Sequence, residues 1–311
     1  MREEKAKRLE YVARAYYEQD LTQAQIAAEL GTSRPFVSKL LQEAKAAGIV
    51  EIRINSPLPT HTKALTAAKS TFGIRGGALI QPGEDAGQLD TLLSMAAARL
   101  IEDLGGGRLG LAWGAQIGAF VATIEKHPNL RSKVSEVCPL VGNRGVPIRY
   151  YHSSENALAV ARQLGAQAFA LNAPALVETP RELESLRATE GYQAMLDRWN
   201  HLDVALVNVG NHPSTPDFAT QARFGKLLTV HRAVGHLVAY CYNRPGHIIH
   251  SDHDYAVQIP LESLGKTKSV IGLCNSTTSP DALRGALRTG LLTHVVAPEP
   301  LITTILQTEA A

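Results

Sequence analysis

The stretch from residue 21 to 54, LTQAQIAAELGTSRPFVSKLLQEAKAAGIVEIRI, constrains the fold of this chain more than any other. Thr22 and Gln25 have the spacing of a capping box that opens a helix. Ile26, Ala27 and Leu30 then fall on one face of it, and Gly31 supplies the residue that stops it in a left-handed conformation. Ser33 caps a following helix, with Pro35 in the first turn, where a missing N–H costs little. Val37, Leu40, Leu41 and Ala44 give that helix an inward face, and Gly48 ends it. Residues 49–54 read as a β-branched strand with Arg53 outward. An upstream helix carrying Leu9, Val12, Ala13 and Tyr16 completes a small core. The pattern predicts a helix-turn-helix followed by a wing.

A helix started in this way presents its first residues to base edges in the major groove and its flanks to phosphates. The predicted DNA contacts are Thr22 and Gln23 at the start of the first helix of the motif, and Thr32, Ser33, Arg34, Ser38 and Lys39 around the start of the second. Arg34 is the residue expected nearest a base edge or phosphate. Phe36 reads either as core or as a contact to a thymine methyl. Charge does not carry this assignment: residues 2–54 hold nine Lys/Arg and eight Asp/Glu, a net of +1. Turn chemistry does. The competing readings are a helical hairpin packed on another domain and a scaffold that never meets DNA.

The full 311 residues are enough for one small and one large domain, expected at 1–56 and 57–311, with the prolines of segment 56–60 as the linker. Apolar residues make up 45% and charged residues 19%, as in ordinary globular proteins. No apolar run reaches the length of a membrane span, and the N-terminus, MREEKAKRLE, is too charged for a signal peptide, so a cytoplasmic protein is expected. Cys138, Cys241 and Cys274 lie far apart and read as buried, reduced thiols.

Beyond residue 60, apolar runs alternate with helical patterns. Strands are expected at 77–80, 109–113, 134–141, 168–171, 204–209, 255–259, 269–274 and 294–297. Helices are expected at 90–104, 117–126, 155–164, 182–199, 281–288 and 300–308. This alternation predicts an α/β domain with a parallel sheet covered on both faces, whose ligand lies beyond the carboxyl ends of the strands. The glycines of 105–110 match G-x-G-x-x-G by letter but follow a helix and lead into a strand, the reverse of a dinucleotide fingerprint. The loop that leaves a strand and opens a helix is 113–118, WGAQIG, whose free amides suit an anion or polar ligand, or form a plain crossover turn. His247, His250 and His253 lie in a segment that reads as loop, so no metal is expected. No nucleophile elbow or Cys/His arrangement is present; no cofactor and no catalytic residue are expected.

Together the two halves resemble the SorC family of bacterial transcriptional regulators, over essentially the whole chain. Besides 21–54, the resemblance rests on LGLAWG at 109–114, PLVG at 139–142, LNAPALV at 171–177, DVALVNVG at 203–210, AVG at 233–235 and ALRGALRTGLL at 282–292. It implies a winged helix-turn-helix joined to a Rossmann-like domain similar to sugar-phosphate isomerases but without catalysis. It also implies a homo-oligomer, dimer or tetramer, that binds operator DNA and changes that binding when a sugar-type effector is held, and hence control of a carbohydrate or polyol operon. The effector residues so implied are Gly114, Ala115 and Gln116 after one strand, Asn143 and Arg144 after another, then Asn211, His236 and Asp254, and the loop Asn275, Ser276, Thr277, Thr278 and Ser279.

The chain departs from the family at the phosphate clamp. Gln116 stands where the family has Thr, Asn143 and Arg144 follow Gly142 where it has glycines, and the 275–279 loop lacks its Gly-Gly and Lys. Tyr255 replaces an Arg and His236 an Asp. Two ligand chemistries fit. An unphosphorylated sugar or polyol would use the amides and hydroxyls of these loops, which the Ser/Thr/Asn composition favours. Alternatively Arg144, Arg149 or His152 holds the anion of a sugar phosphate. An isomerase-like enzyme with a DNA-binding appendage is the other class, and it would need an acid/base pair at the strand ends, where Glu299 and Asp203 have no evident partner.

Overall fold

The computed structural model describes residues 2–50, 62–83, 86–127, 132–214 and 218–310. Three helices, α1 (Arg2–Tyr17), α2 (Gln23–Glu29) and α3 (Arg34–Ala46), surround a core that includes Leu9, Val12, Ile26, Val37, Leu40 and Leu41. Local chemistry sets their ends. The Thr22 N–H donates to Gln25 Oε1 at 2.9 Å and the Gln25 N–H donates to Thr22 Oγ1 at 3.3 Å, closing the capping box. Gly31, at φ +59°, turns the chain out of α2, and Ser33 Oγ then accepts the Phe36 N–H at the start of α3. After Gly48 the N–H groups of Ile49 and Val50 both reach back to the Ala44 carbonyl. The rest of the expected wing, Arg53 included, and the expected linker at 56–60 lie outside the described residues. The chain divides into two compact units, Met1–Pro57 and Leu58–Ala311.

In the larger unit the described residues form nine strands: β1 (Gly76–Ile80), β2 (Gly107–Leu111), β3 (Val134–Pro139), β4 (Gln167–Ala168), β5 (Val204–Asn211), β6 (Ala233–Leu237), β7 (Tyr240–Asn243), β8 (Ser269–Leu273) and β9 (His294–Pro298). Seven run parallel in the order β1-β9-β8-β5-β2-β3-β4. β8 and β9 are buried at every residue and β5 at all but its last, as strands must be when helices cover both faces. Trp199 is wholly buried in this core, and its Nε1 donates to the Pro139 carbonyl at 2.9 Å.

Several expected elements differ. Segment 255–259 forms no ladder: it bonds alternately to 140–142 and 175–177, leaving only the isolated bridges Val141–Gln258 and Leu176–Ala256. The expected helix 182–199 is two, Pro180–Arg187 and Glu190–Asn200, because Thr189 Oγ1 donates to the Leu186 carbonyl and accepts the Tyr192 N–H, ending one helix and capping the next. The hairpin β6–β7 was not expected from its composition; it forms because β5 continues past its parallel neighbours. Val209, Gly210 and Asn211 pair antiparallel with Leu237, His236 and Gly235 after β2 and β8 have ended.

Candidate functional site

β2 leads outward to β3 and β4, whereas β5 leads the other way to β8 and β9, so the order of the sheet reverses between β2 and β5. Crossovers leaving in opposite directions open a crevice at that point. A cavity of about 380 Å³ lies there. Its floor is the residues that follow β2, Trp113 to Gln116, and Asn208, Gly210 and Asn211 at the end of β5; Arg223, His236, Val238, Asn275 and Thr277 close its sides. Gly114, at φ +94°, begins the helix Ala115–Glu125 without a side-chain cap, and the start of that helix lines the cavity through Gly114, Ala115 and Gln116. A side chain at Gly210 would collide with the imidazole of His236, which lies across it on β6.

Trp113, Tyr150 and Tyr151 form an aromatic wall. Trp113 and Tyr151 meet edge to face at 5.4 Å, and Trp113 Nε1 donates to the Val238 carbonyl at 2.9 Å. Such faces cover the C–H faces of sugar rings as readily as other apolar surface. Among the described lining residues Arg223 is the one Lys or Arg. It is buried, and its Nε and Nη2 donate to the two Asp254 oxygens at 2.7 and 2.9 Å, while Nη2 also reaches the Ala239 carbonyl. Burial holds His212 below the usual imidazole pKa, which keeps it uncharged at neutral pH.

Of the residues expected from sequence, Gly114, Ala115, Gln116, Asn211, His236, Asn275 and Thr277 line the cavity. Asp254 stands behind it, bonded to Arg223. Asn143 and Arg144 line a neighbouring 130 Å³ recess that shares Trp113, Arg223 and Ala239 with the cavity. Asn143 is occupied by structure: its Oδ1 accepts the Ser154 N–H at 3.0 Å and its Nδ2 donates to the Leu171 carbonyl. Ser276, Thr278 and Ser279 do not line the cavity. Ser276 is tied to Asp90, Thr278 donates to Asn275 Oδ1, and Ser279 caps the helix Pro280–Arg288. Arg149 donates to Glu125, His152 Nε2 contacts the Val146 carbonyl at 2.7 Å, and neither lines the cavity. Arg144 stacks on Tyr151 at 5.2 Å.

Sequence reading missed Arg223, Tyr150, Tyr151, His212 and Asn208. Arg223 reads as an ordinary helix-surface cation until its partner 31 residues away is known. Asn208 did carry a signal, a lone amide inside the apolar run VALVNV. Burial pushes Cys138 up to about 12 and raises Cys274 further, so both thiols stay protonated and unreactive.

In the smaller unit Arg34, Phe36 and Lys39 are exposed and Gln23, Thr32 and Ser38 half-buried, all at the starts of α2 and α3. The Thr22 and Ser33 oxygens are engaged in capping. Phe36 is not core: it is 38% exposed, with the Arg8 guanidinium 5.2 Å from its ring. Arg8, on α1, therefore joins this surface, and nothing local in the sequence pointed to it.

Residues 60–307 match the family model described as "Putative sugar-binding domain", and residues 9–57 match one described as "MarR family". The sorbitol operon regulator of Klebsiella pneumoniae is 26% identical over 287 residues, covering 89% of this chain and 90% of that protein. The deoxyribonucleoside regulator of Bacillus subtilis (strain 168) is 26% identical over 300 residues, covering 91% and 92%. The solved structure of the full-length Klebsiella sorbitol operon regulator SorC superposes with a TM-score of 0.80 at 24% identity, covering 96% of this chain and 98% of that one.

Proposed function

The chain belongs to the SorC family of sugar-binding transcriptional regulators, and we infer that it binds operator DNA through α2 and α3 and is controlled by a sugar, polyol or sugar phosphate held between β2 and β5. The observation that carries this is the pairing of a capped helix-turn-helix with a cavity at the switch point of the sheet, lined by aromatic faces and neutral amides. Such a lining binds and orients hydroxyls. The two carboxylates weighed as an acid/base pair are engaged elsewhere: Asp203 accepts from the Arg108 N–H and Lys268 at the opposite end of β5, and Glu299 accepts from Gln81. A regulator rather than an isomerase-like enzyme is the reading this supports.

Control requires the effector to bind the DNA-competent and DNA-incompetent assemblies unequally. One half-site per subunit gives weak binding and a symmetric pair gives specificity, so the acting species is taken as a homodimer or tetramer in the cytoplasm. No described helix is long and apolar enough to cross a membrane. The test is selection of genomic fragments by the full-length chain, followed by mobility shifts of the enriched fragment with a sugar panel. A palindromic site whose occupancy changes with one sugar is expected. No enriched site would leave a non-DNA scaffold, and NMR-detected turnover of a sugar would leave the enzyme.

A further inference from the structure

The charges and acceptors around the cavity point to what kind of ligand it holds, given that the Leu58–Ala311 unit is the effector domain. Arg223 is the cation that a phosphate or carboxylate would seek, yet its two-pronged fork is already filled by both oxygens of Asp254. An anion there meets a guanidinium whose charge Asp254 already balances, and taking over that fork would leave the half-buried Asp254 carboxylate without its partner. The remaining groups favour donors on the ligand rather than negative charge. Gln116 Nε2 donates to the Val209 carbonyl at 3.0 Å, which fixes the amide and leaves Oε1 turned toward Gly114, 3.8 Å from where a Cβ would stand there. An acceptor therefore stands over Gly114, where the helix begins. Asn208 is 1% exposed, lines the same cavity, and its Oδ1 has no hydrogen-bond partner. A buried acceptor without a donor is costly. A phosphate dianion has no proton to give it; a hydroxyl has.

We propose that the cavity selects an uncharged polyhydroxylated ligand, an unphosphorylated sugar or polyol, with Asp254 serving as the built-in counter-ion that excludes phosphate and with Asn208 Oδ1 and Gln116 Oε1 accepting ligand hydroxyl protons. Trp113, Tyr150 and Tyr151 cover its apolar face.

Isothermal titration of the full chain tests this. Inorganic phosphate is titrated into the wild type and Asp254→Asn at constant ionic strength, and sorbitol and ribose are each compared with their terminal phosphate esters. The wild type shows no saturable heat with phosphate. Asp254→Asn, whose Arg223 fork is released, binds it at least about tenfold more tightly. In a pair that binds, the neutral member binds more tightly than its ester. Saturable phosphate binding by the wild type, or a tighter ester, overturns the proposal. Both outcomes are read on the wild type, so they hold even where the variant does not fold. Either failure still leaves an effector-controlled regulator, whereas that reading falls only when no sugar or ester alters operator binding.

Discussion

The two units expose function in opposite ways. At the start of α3 the groups offered to DNA, Arg34 and Lys39, stand in solvent on a helix whose hold on the unit comes from Val37, Leu40, Leu41 and Ala44 on the other face. At the switch point of the sheet the site is built of the core itself. Arg223 and Asn208 are buried, and Asp254 is bonded behind them. Binding and stability should separate in the first unit and be inseparable in the second.

The sharpest way to break that contrast is Asp254→Ala. It leaves the buried Arg223 guanidinium without its carboxylate, and unpairing a buried ion pair costs about 3–5 kcal/mol. Urea unfolding followed by Trp fluorescence should show this loss in the larger unit, since Trp113 and Trp199 both lie there; a loss below about 1 kcal/mol, within the range of an exposed pair, would mean the pair is effectively solvated. Arg34→Ala should do the reverse. Operator affinity falls by about 10- to 100-fold, the worth of one Arg contact to a base or phosphate, with unchanged melting and unchanged effector affinity. Unaltered mobility shifts would remove α3 from the interface.

Acidity should also divide the units. Residues 1–57 contain no histidine. In the larger unit, burial and then the neighbouring Arg75 and Lys69 lower His294 to about 4. The unfolded chain takes up that proton near pH 6.5 and the folded chain does not. Stability is therefore full above pH 6.5 and is lost as pH falls toward 4, by about 2 kcal/mol at pH 5 from the size of the shift. Melting curves at pH 7 and 5 should show it, and His294→Gln should flatten the difference. The smallest effect is Ser33→Ala, which removes the cap of α3 and costs about 1 kcal/mol. Circular dichroism of that variant should report partial loss of helix with the larger unit intact; no change would show that the 3.4 Å bond to the Phe36 N–H carries little.

Much of the smaller unit was legible because its determinants are local. Thr22 with Gln25, Gly31, and Ser33 with Pro35 each act within four residues, so the spacing in the sequence is already the geometry. The parallel sheet was legible for the same kind of reason, since fully buried strands write themselves as apolar runs. The site was only half legible. The 275–279 loop has a composition suited to hydroxyl ligands, yet its side chains spend bonding capacity on one another and on Asp90, while its backbone is held by Asn211. Arg144, Arg149 and His152 offered candidate cations, but the fold placed a different one, Arg223, at the cavity.

By itself, the sequence determined a capped helix-turn-helix, an α/β domain and a family, because caps, turns and buried strands depend on neighbours a few residues apart. Only the tertiary structure decided which polar groups face the ligand and which are satisfied elsewhere. That choice depends on partners 30 to 200 residues away, as with Asp254 beside Arg223 and Asp90 beside Ser276. Hydrogen-bonding capacity is finite, and whichever group arrives first in space removes it from the site.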